Sequence, residues 1–228
     1  MSHGSVSRPV HSSQRTAHPR LASTLERRGA RAWRQPLHEP SVRAFEALAE
    51  GIDPDRDRLV LDSGCGSGES TRAIARAYPE CRVIGVDKSA ARLSRLGQGE
   101  FPRYAGNAIW LRAELATFWR LALKAGWRLE RHYLLYPNPW PKPGQVQRRW
   151  HAHPVFPDLL ALGGRLELRC NWRIYAEEFA LAVERLAGID ARLRDDTDPG
   201  ITTPFERKYR SSGHALYSVV ASLGNGAV

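Results

Sequence analysis

Arg58-Leu59-Val60-Leu61-Asp62-Ser63-Gly64-Cys65-Gly66-Ser67-Gly68 runs without a break into Glu69-Ser70-Thr71-Arg72-Ala73-Ile74-Ala75-Arg76-Ala77-Tyr78. The first part is a short apolar run ending in an acid and a glycine cluster, the pattern of a strand entering a tight turn. The second places Ile74 and Tyr78 four residues apart, as one face of a helix does. Strand, turn and helix then recur. Arg82 to Asp87 is followed by Ser89 to Leu96, and His132 to Tyr136 by a proline-rich loop; Gly164 to Cys170 is followed by Trp172 to Gly188. Parallel neighbours in a sheet need a crossover helix of fixed hand, so this alternation predicts an α/β protein, doubly wound around a mostly parallel sheet. His214 to Val220 is expected to be an antiparallel last strand closing one edge of that sheet. Trp110, Trp119 and Trp127, interleaved with leucines, are expected to form a buried helix face and its end.

The chain has 228 residues, 42% hydrophobic and 25% charged, which suits one folded domain. No apolar run approaches the roughly 18 residues of a membrane-crossing helix, and the first residues lack the apolar segment of a secretory leader. Cys65, Cys81 and Cys170 are odd in number and form no CxxC pair, which speaks against a disulfide framework or zinc module and for a reducing cytoplasm. His151 and His153 have no acid or cysteine beside them to complete a metal site, so no metal is expected. The net charge of +10 points to an acidic partner, and it is unevenly spread. Residues 1–36 hold seven arginines and one acid, whereas the rest holds 27 bases against 23 acids. The sequence therefore predicts a basic, disordered arm over 1–36, either an electrostatic aid to holding a polyanion or a mere extension, and a single domain over 37–228.

The turn after the first strand reads GxGxG. It is neither the GxGxxG of dinucleotide sites nor a phosphate-binding P-loop with its Lys and Ser/Thr, so nothing in it neutralises a pyrophosphate. About 25 residues on, the second strand ends in Asp87, where a carboxylate can accept from both hydroxyls of a ribose. The two features together suit a nucleoside without phosphates, and the combination resembles the S-adenosylmethionine site of Rossmann-like methyltransferases. That resemblance implies Asp62 facing the methionine end, Gly64 and Gly66 beneath it, Asp87 on the ribose and Asn107 at the adenine edge.

The fourth strand runs into Tyr136-Pro137-Asn138-Pro139-Trp140-Pro141-Lys142-Pro143. Prolines fix the loop's path at the carboxyl end of a central strand, where open α/β sheets bind ligands. Trp140 offers an aromatic wall, Asn138 one acceptor and two donors, and Lys142 a cation. Arg148, Arg149 and Arg173 are candidate phosphate contacts or solvated helix charges. With Gln147 to Trp150, Leu162 to Phe179 and Thr202 to His214, the loop resembles the bacterial tRNA (guanine-N7)-methyltransferases over Leu59 to Val220. The resemblance implies a doubly wound Rossmann-like fold with an antiparallel last strand, S-adenosylmethionine as cofactor, tRNA as partner, no membrane, and a monomer or weak homodimer. It places Asn138 at the family's catalytic Asp, Lys142 and Asn171 at substrate-contacting positions, and Thr203 to Glu206 on the family's T-x-F-E. It further implies methylation at N7 of guanine 46 in the variable loop.

Two departures stand out: both acidic positions of the RNA-facing site are Asn here, and the basic run after Lys142 is reduced. Guanine N7 carries a lone pair and no proton to lose, so transfer requires positioning more than a general base. An amide in place of a carboxylate stabilises the cationic product less, so a slower enzyme is expected. Glu206 is expected to accept from guanine N1 and N2. Two other readings stand beside this one. Asn138-Pro139-Trp140 is similar to the N-P-P-Y loop of methyltransferases acting on exocyclic amines or amides, and the two Asn positions also suit a weakened RNA-binding relative.

Overall fold

A computed structural model describes residues 7–29, 33–195, 201 and 203–224. Among these residues eight strands form one sheet: β1 (Leu59–Ser63), β2 (Arg82–Asp87), β3 (Arg103–Ala105), β4 (Ala108–Arg112), β5 (Leu129–Leu135), β6 (Gly164–Cys170), β7 (Ala191–Arg194) and β8 (Tyr217–Leu223). Their spatial order is β3-β4-β2-β1-β5-β6-β8-β7. β4, β2, β1, β5 and β6 run parallel, and β3, β7 and β8 pair antiparallel with their neighbours.

Eight helices accompany the sheet among the described residues: α1 (Leu21–Gly29), α2 (Glu39–Ala49), α3 (Glu69–Ala77), α4 (Ala90–Leu93), α5 (Leu115–Lys124), α6 (Phe156–Ala161), α7 (Arg173–Ala187) and α8 (Pro204–Ser211). All five residues of β1 are buried because helices cover both faces. Leu59 and Leu61 pack with apolar side chains of α1, α2, α5, α6 and α7, while Val60 packs with Ile74 of α3 and Leu93 of α4. This period of two is what a strand between two helical layers requires.

The expected α/β doubly wound sheet is therefore present, with three differences. The antiparallel strand β8 is not an edge, since β7 pairs outside it. A four-residue strand is too short to carry a readable alternation. The third parallel strand is β4 and follows a hairpin with β3, so Trp110 lies on a strand; Trp119 lies on α5 and Trp127 just beyond it, and all three are 0–1% exposed. The described part of the arm is ordered: Leu21 and Leu25 of α1 are each 1% exposed and pack into the core beside α7. Burying such a side chain contributes about 1.5–3 kcal/mol, enough to hold a segment that its composition alone marks as unfolded. Residues 1–6 and 30–32 of the expected arm lie outside the described residues.

Candidate active site

The turn between β1 and α3 lies at the carboxyl edge of the sheet. Gly64 and Gly66 have φ of +82° and +58°, a region that side chains disfavour, and a Cβ on Gly64 would meet nothing within 4 Å. The space above the turn is open. Asp87 braces the turn from β2: its Oδ2 accepts from the Gly66 N–H at 3.0 Å and its Oδ1 from the Ser89 N–H at 2.8 Å. Asp62 is fully buried, and its Oδ2 accepts from the Ser70 and Thr71 hydroxyls at 2.6 and 2.7 Å. Its Oδ1 is buried without a partner among the described residues. Burial pushes the Asp62 carboxyl up to about 6, against the two hydroxyls that favour the carboxylate. An unpaired buried acceptor beside an open glycine turn fits a ligand that brings a cation and donors.

The cleft over the turn holds about 350 Å³ and is lined by Gly64, Gly66, Ser70, Leu135, Thr203 and Phe205, among others. α8 thus forms its far wall. Thr203 caps that helix, its Oγ1 accepting from the Glu206 N–H at 3.0 Å. The expectation for Glu206 needs correction: it is fully buried, 3.1 Å from Arg169 and 3.3 Å from Arg210. Arg169 is itself 1% exposed and also pairs with Glu167 at 2.7 Å. Glu206 therefore anchors α8 to β6 and is not placed to read a base. The alternating charges of Arg165-Leu166-Glu167-Leu168-Arg169 resemble a half-solvated strand, but α8 and Ile201 cover that face.

Asn107 also needs correction. It sits in the β3–β4 turn at the amino end of β4, and its amide donates to the carbonyls of Ala75, Tyr78 and Cys81 at 2.9–3.1 Å. Those bonds tie the opposite edge of the sheet together, away from the glycine turn. The carboxyl end of β4 instead leads into Ala113 and Glu114.

The loop after β5 begins where the Tyr136 N–H donates to the Arg169 carbonyl at 2.8 Å. Tyr136 and Trp140 have φ of 52° and 45°, costly for residues with side chains, and the loop is held in that shape by its neighbours. Asn138 is exposed; its Oδ1 accepts from the Trp140 N–H at 3.2 Å, and its two N–H donors have no partner among the described residues. Lys142 is exposed beyond it, and Arg148 lies over the Trp140 ring at 4.8 Å. Arg149 is not a phosphate contact. Its fully buried guanidinium donates to the Trp140 carbonyl at 3.1–3.2 Å, to Gln14 Oε1 at 3.0 Å and to Glu178.

His151 is buried at 2.9 Å from that same Glu178 carboxylate. Burial alone would raise Glu178, but the bonds and charges of His151 and Arg149 outweigh it and hold the carboxyl at about 2. The signal for this hub was a glutamate on the apolar face of α7, level with Ile174 and Ala182. A charge there demands a buried partner.

Asn171 follows β6, one strand over from Asn138. Its Nδ2 lies 3.1 Å from His214 Nδ1, and His214 Nε2 donates to the Ser7 carbonyl at 2.9 Å. The N-terminal segment also reaches the loop where Ser12 Oγ donates to the Pro141 carbonyl at 2.5 Å. The structure thus gathers Asp62, Gly64, Gly66, Asp87, Asn138, Lys142, Asn171 and Thr203 along one edge of the sheet, and leaves Asn107 at the other.

Sheet order, glycine turn and strand-end carboxylates together define a Rossmann-like methyltransferase. Solved structures agree on that fold: the "Structure of an Antibiotic Related Methyltransferase" matches with a TM-score of 0.54 at 14% identity, covering 86% of this chain and 98% of that one. The 16S rRNA methyltransferase KamB matches at 0.53 and 18%, covering 83% and 95%. Residues 56–219 match the family model described as "Putative methyltransferase". The tRNA (guanine-N(7)-)-methyltransferase of Halorhodospira halophila is 30% identical over 90% of this chain and 96% of its own length. That of Acidithiobacillus ferrooxidans is 27% identical over 90% and 95%. The chain belongs to the tRNA (guanine-N7)-methyltransferase family.

Proposed function

We propose that the protein transfers a methyl group from S-adenosylmethionine to N7 of the variable-loop guanine of tRNA, position 46. What carries this reading is the convergence on one sheet edge of the open glycine turn, the Asn138 loop and α8. The donor supplies an electrophilic sulfonium methyl. Asp62, with one unpaired buried oxygen, holds the cationic amino end, and Gly64 and Gly66 allow close approach of the backbone. Asp87 has two oxygens already bonded to backbone N–H groups and keeps lone pairs for a ribose hydroxyl.

Asn138 presents N–H donors, which suit O6 beside the reacting N7, and Lys142 meets phosphate or O6. Thr203 shapes the far wall through α8. Because N7 has no proton to lose, these residues orient two reactants and need take no proton. The held Asn138 carbonyl speaks against the exocyclic-amine reading, in which that oxygen would accept from the amine. Among the described residues no helix is long and apolar enough to cross a membrane, and a cytoplasmic tRNA enzyme is the setting proposed. The test is methylation of bulk tRNA by the purified protein followed by nucleoside analysis. 7-Methylguanosine supports the reading; a methylated amine, or bound donor with no methylated product, overturns it.

A further inference from the structure

A carboxylate presents acceptors however it turns, whereas an amide has a right and a wrong face, and which face Asn171 shows is set by a chain of two hydrogen bonds. The Ser7 carbonyl can only accept, so the His214 nitrogen 2.9 Å from it, Nε2, carries the proton. The nitrogen 3.1 Å from His214 Nδ1 is Asn171 Nδ2, so with the proton on Nε2 the bare Nδ1 accepts from the N–H side of the Asn171 amide. The reversed amide would set two lone pairs against each other. Asn171 Oδ1 is then left as an acceptor with no partner among the described residues. The relay is braced at both ends: the Ser7 N–H donates to Ser212 Oγ at 3.0 Å, and the Tyr209 ring stacks on His214 at 5.2 Å and 16°.

We propose that His214 is a positioning residue that fixes the Asn171 amide with its carbonyl oxygen presented at the carboxyl edge, where it accepts from the N1–H and N2–H edge of the target guanine. This rests on the guanine-methylating function proposed above. Asn138, whose carbonyl is taken by the Trp140 N–H, shows the opposite polarity, so the two amides offer donors and an acceptor to a base that has both. Adenine, with an amine where guanine has O6 and no N1 proton, matches neither.

The tautomer is read first, without substrate, from the ¹⁵N shifts of the His214 ring in the full-length protein. Protonated Nε2 with bare Nδ1 is expected, and a proton on Nδ1 overturns the proposal. Methylation of tRNA is then compared in two backgrounds. His214→Ala is expected to lower kcat/KM about fivefold to tenfold in the natural chain, the scale of one lost hydrogen bond. His214→Gln, which keeps one acceptor and one donor, restores most of it. In an Asn171→Asp background His214→Ala should cost less than about twofold, because a carboxylate has no wrong face. Equal losses in both backgrounds, or none in either, overturn the positioning role. A wild-type protein that methylates no tRNA defeats the proposed function instead, while the ring shifts still decide the tautomer.

Discussion

Arg149 and Glu178 meet with neither side chain exposed to solvent, and through them the substrate loop, α7 and the N-terminal segment share one buried charge pair. Removing one member leaves the other charged and buried. Arg149→Met is therefore expected to cost about 3–5 kcal/mol in urea unfolding. Glu178 is held below its ordinary value of 4.5, so its contribution is full above that value and lost as pH falls toward 2. Glu178→Gln should be less stable at neutral pH and lose less on acidification. A Glu178→Gln variant with the natural acid limb would assign that limb to other groups.

Asp62 carries the opposite sign. Its folded value of about 6 lies above the ordinary 3.8, so the ligand-free protein loses stability as pH rises through that window. A cationic ligand end reverses the preference, because it binds the carboxylate. Affinity for S-adenosylmethionine, measured calorimetrically, is expected to be level above about pH 6 and to weaken below it, while Asp62→Asn shows a weak and pH-independent affinity across the same range.

Gly85 lies on β2 against the helix that supplies the partners of Asp62. A Cβ there would run into the Thr71 hydroxyl and come within 3.1 Å of Cys65 Cβ. Since Thr71 donates to Asp62, Gly85→Ala is expected to weaken donor binding by about tenfold, the scale of 1.4 kcal/mol, through overpacking with no contact to the ligand. Unchanged affinity in a folded Gly85→Ala variant would show that the Thr71 bond does not set the site.

His132 is buried beneath the site, 2.8 Å from Ser63 Oγ, and burial pushes it down to about 3. An imidazole that stays neutral in the fold and charges when unfolded contributes stability that is present above 6.5 and lost as pH falls toward 3. The slope from this group approaches about 1.4 kcal/mol per pH unit. His132→Gln should flatten stability between those limits, measured by unfolding at a series of pH values.

The parts of this fold legible in the sequence are those whose signal is local. β1, its glycine turn and α3, then β2, β5, β6 and α7, each carry their own periodicity and punctuation within a dozen residues. β7 has only four residues, and the β3–β4 hairpin turns on Gly106-Asn107, whose side chain serves the far edge of the sheet. The chemistry-bearing types along the carboxyl edge were visible for the same local reason. What charged side chains do once folded was not: Arg149 with Glu178, and Arg169 with Glu206, are 29 and 37 residues apart. A surface contact and a buried anchor look alike until the partner is placed.

The N-terminal segment shows the same limit and leads to a separable test. Deleting residues 1–36 removes Leu21 and Leu25 from the core, so it is expected to lower stability as well as tRNA affinity, and the two effects would be confounded. Arg15 and Arg20 are exposed and can be changed without touching that packing. Each cation that neutralises a phosphate releases counterions, which steepens the fall of binding with salt by roughly 0.7–0.9 in the log–log slope. Arg15→Gln with Arg20→Gln should weaken tRNA binding at low salt, make its salt dependence shallower by about one to two units, and leave donor affinity and urea unfolding unchanged. An unaltered slope would mean that the segment serves the fold and the loop alone, through Gln14, Ser12 and α1.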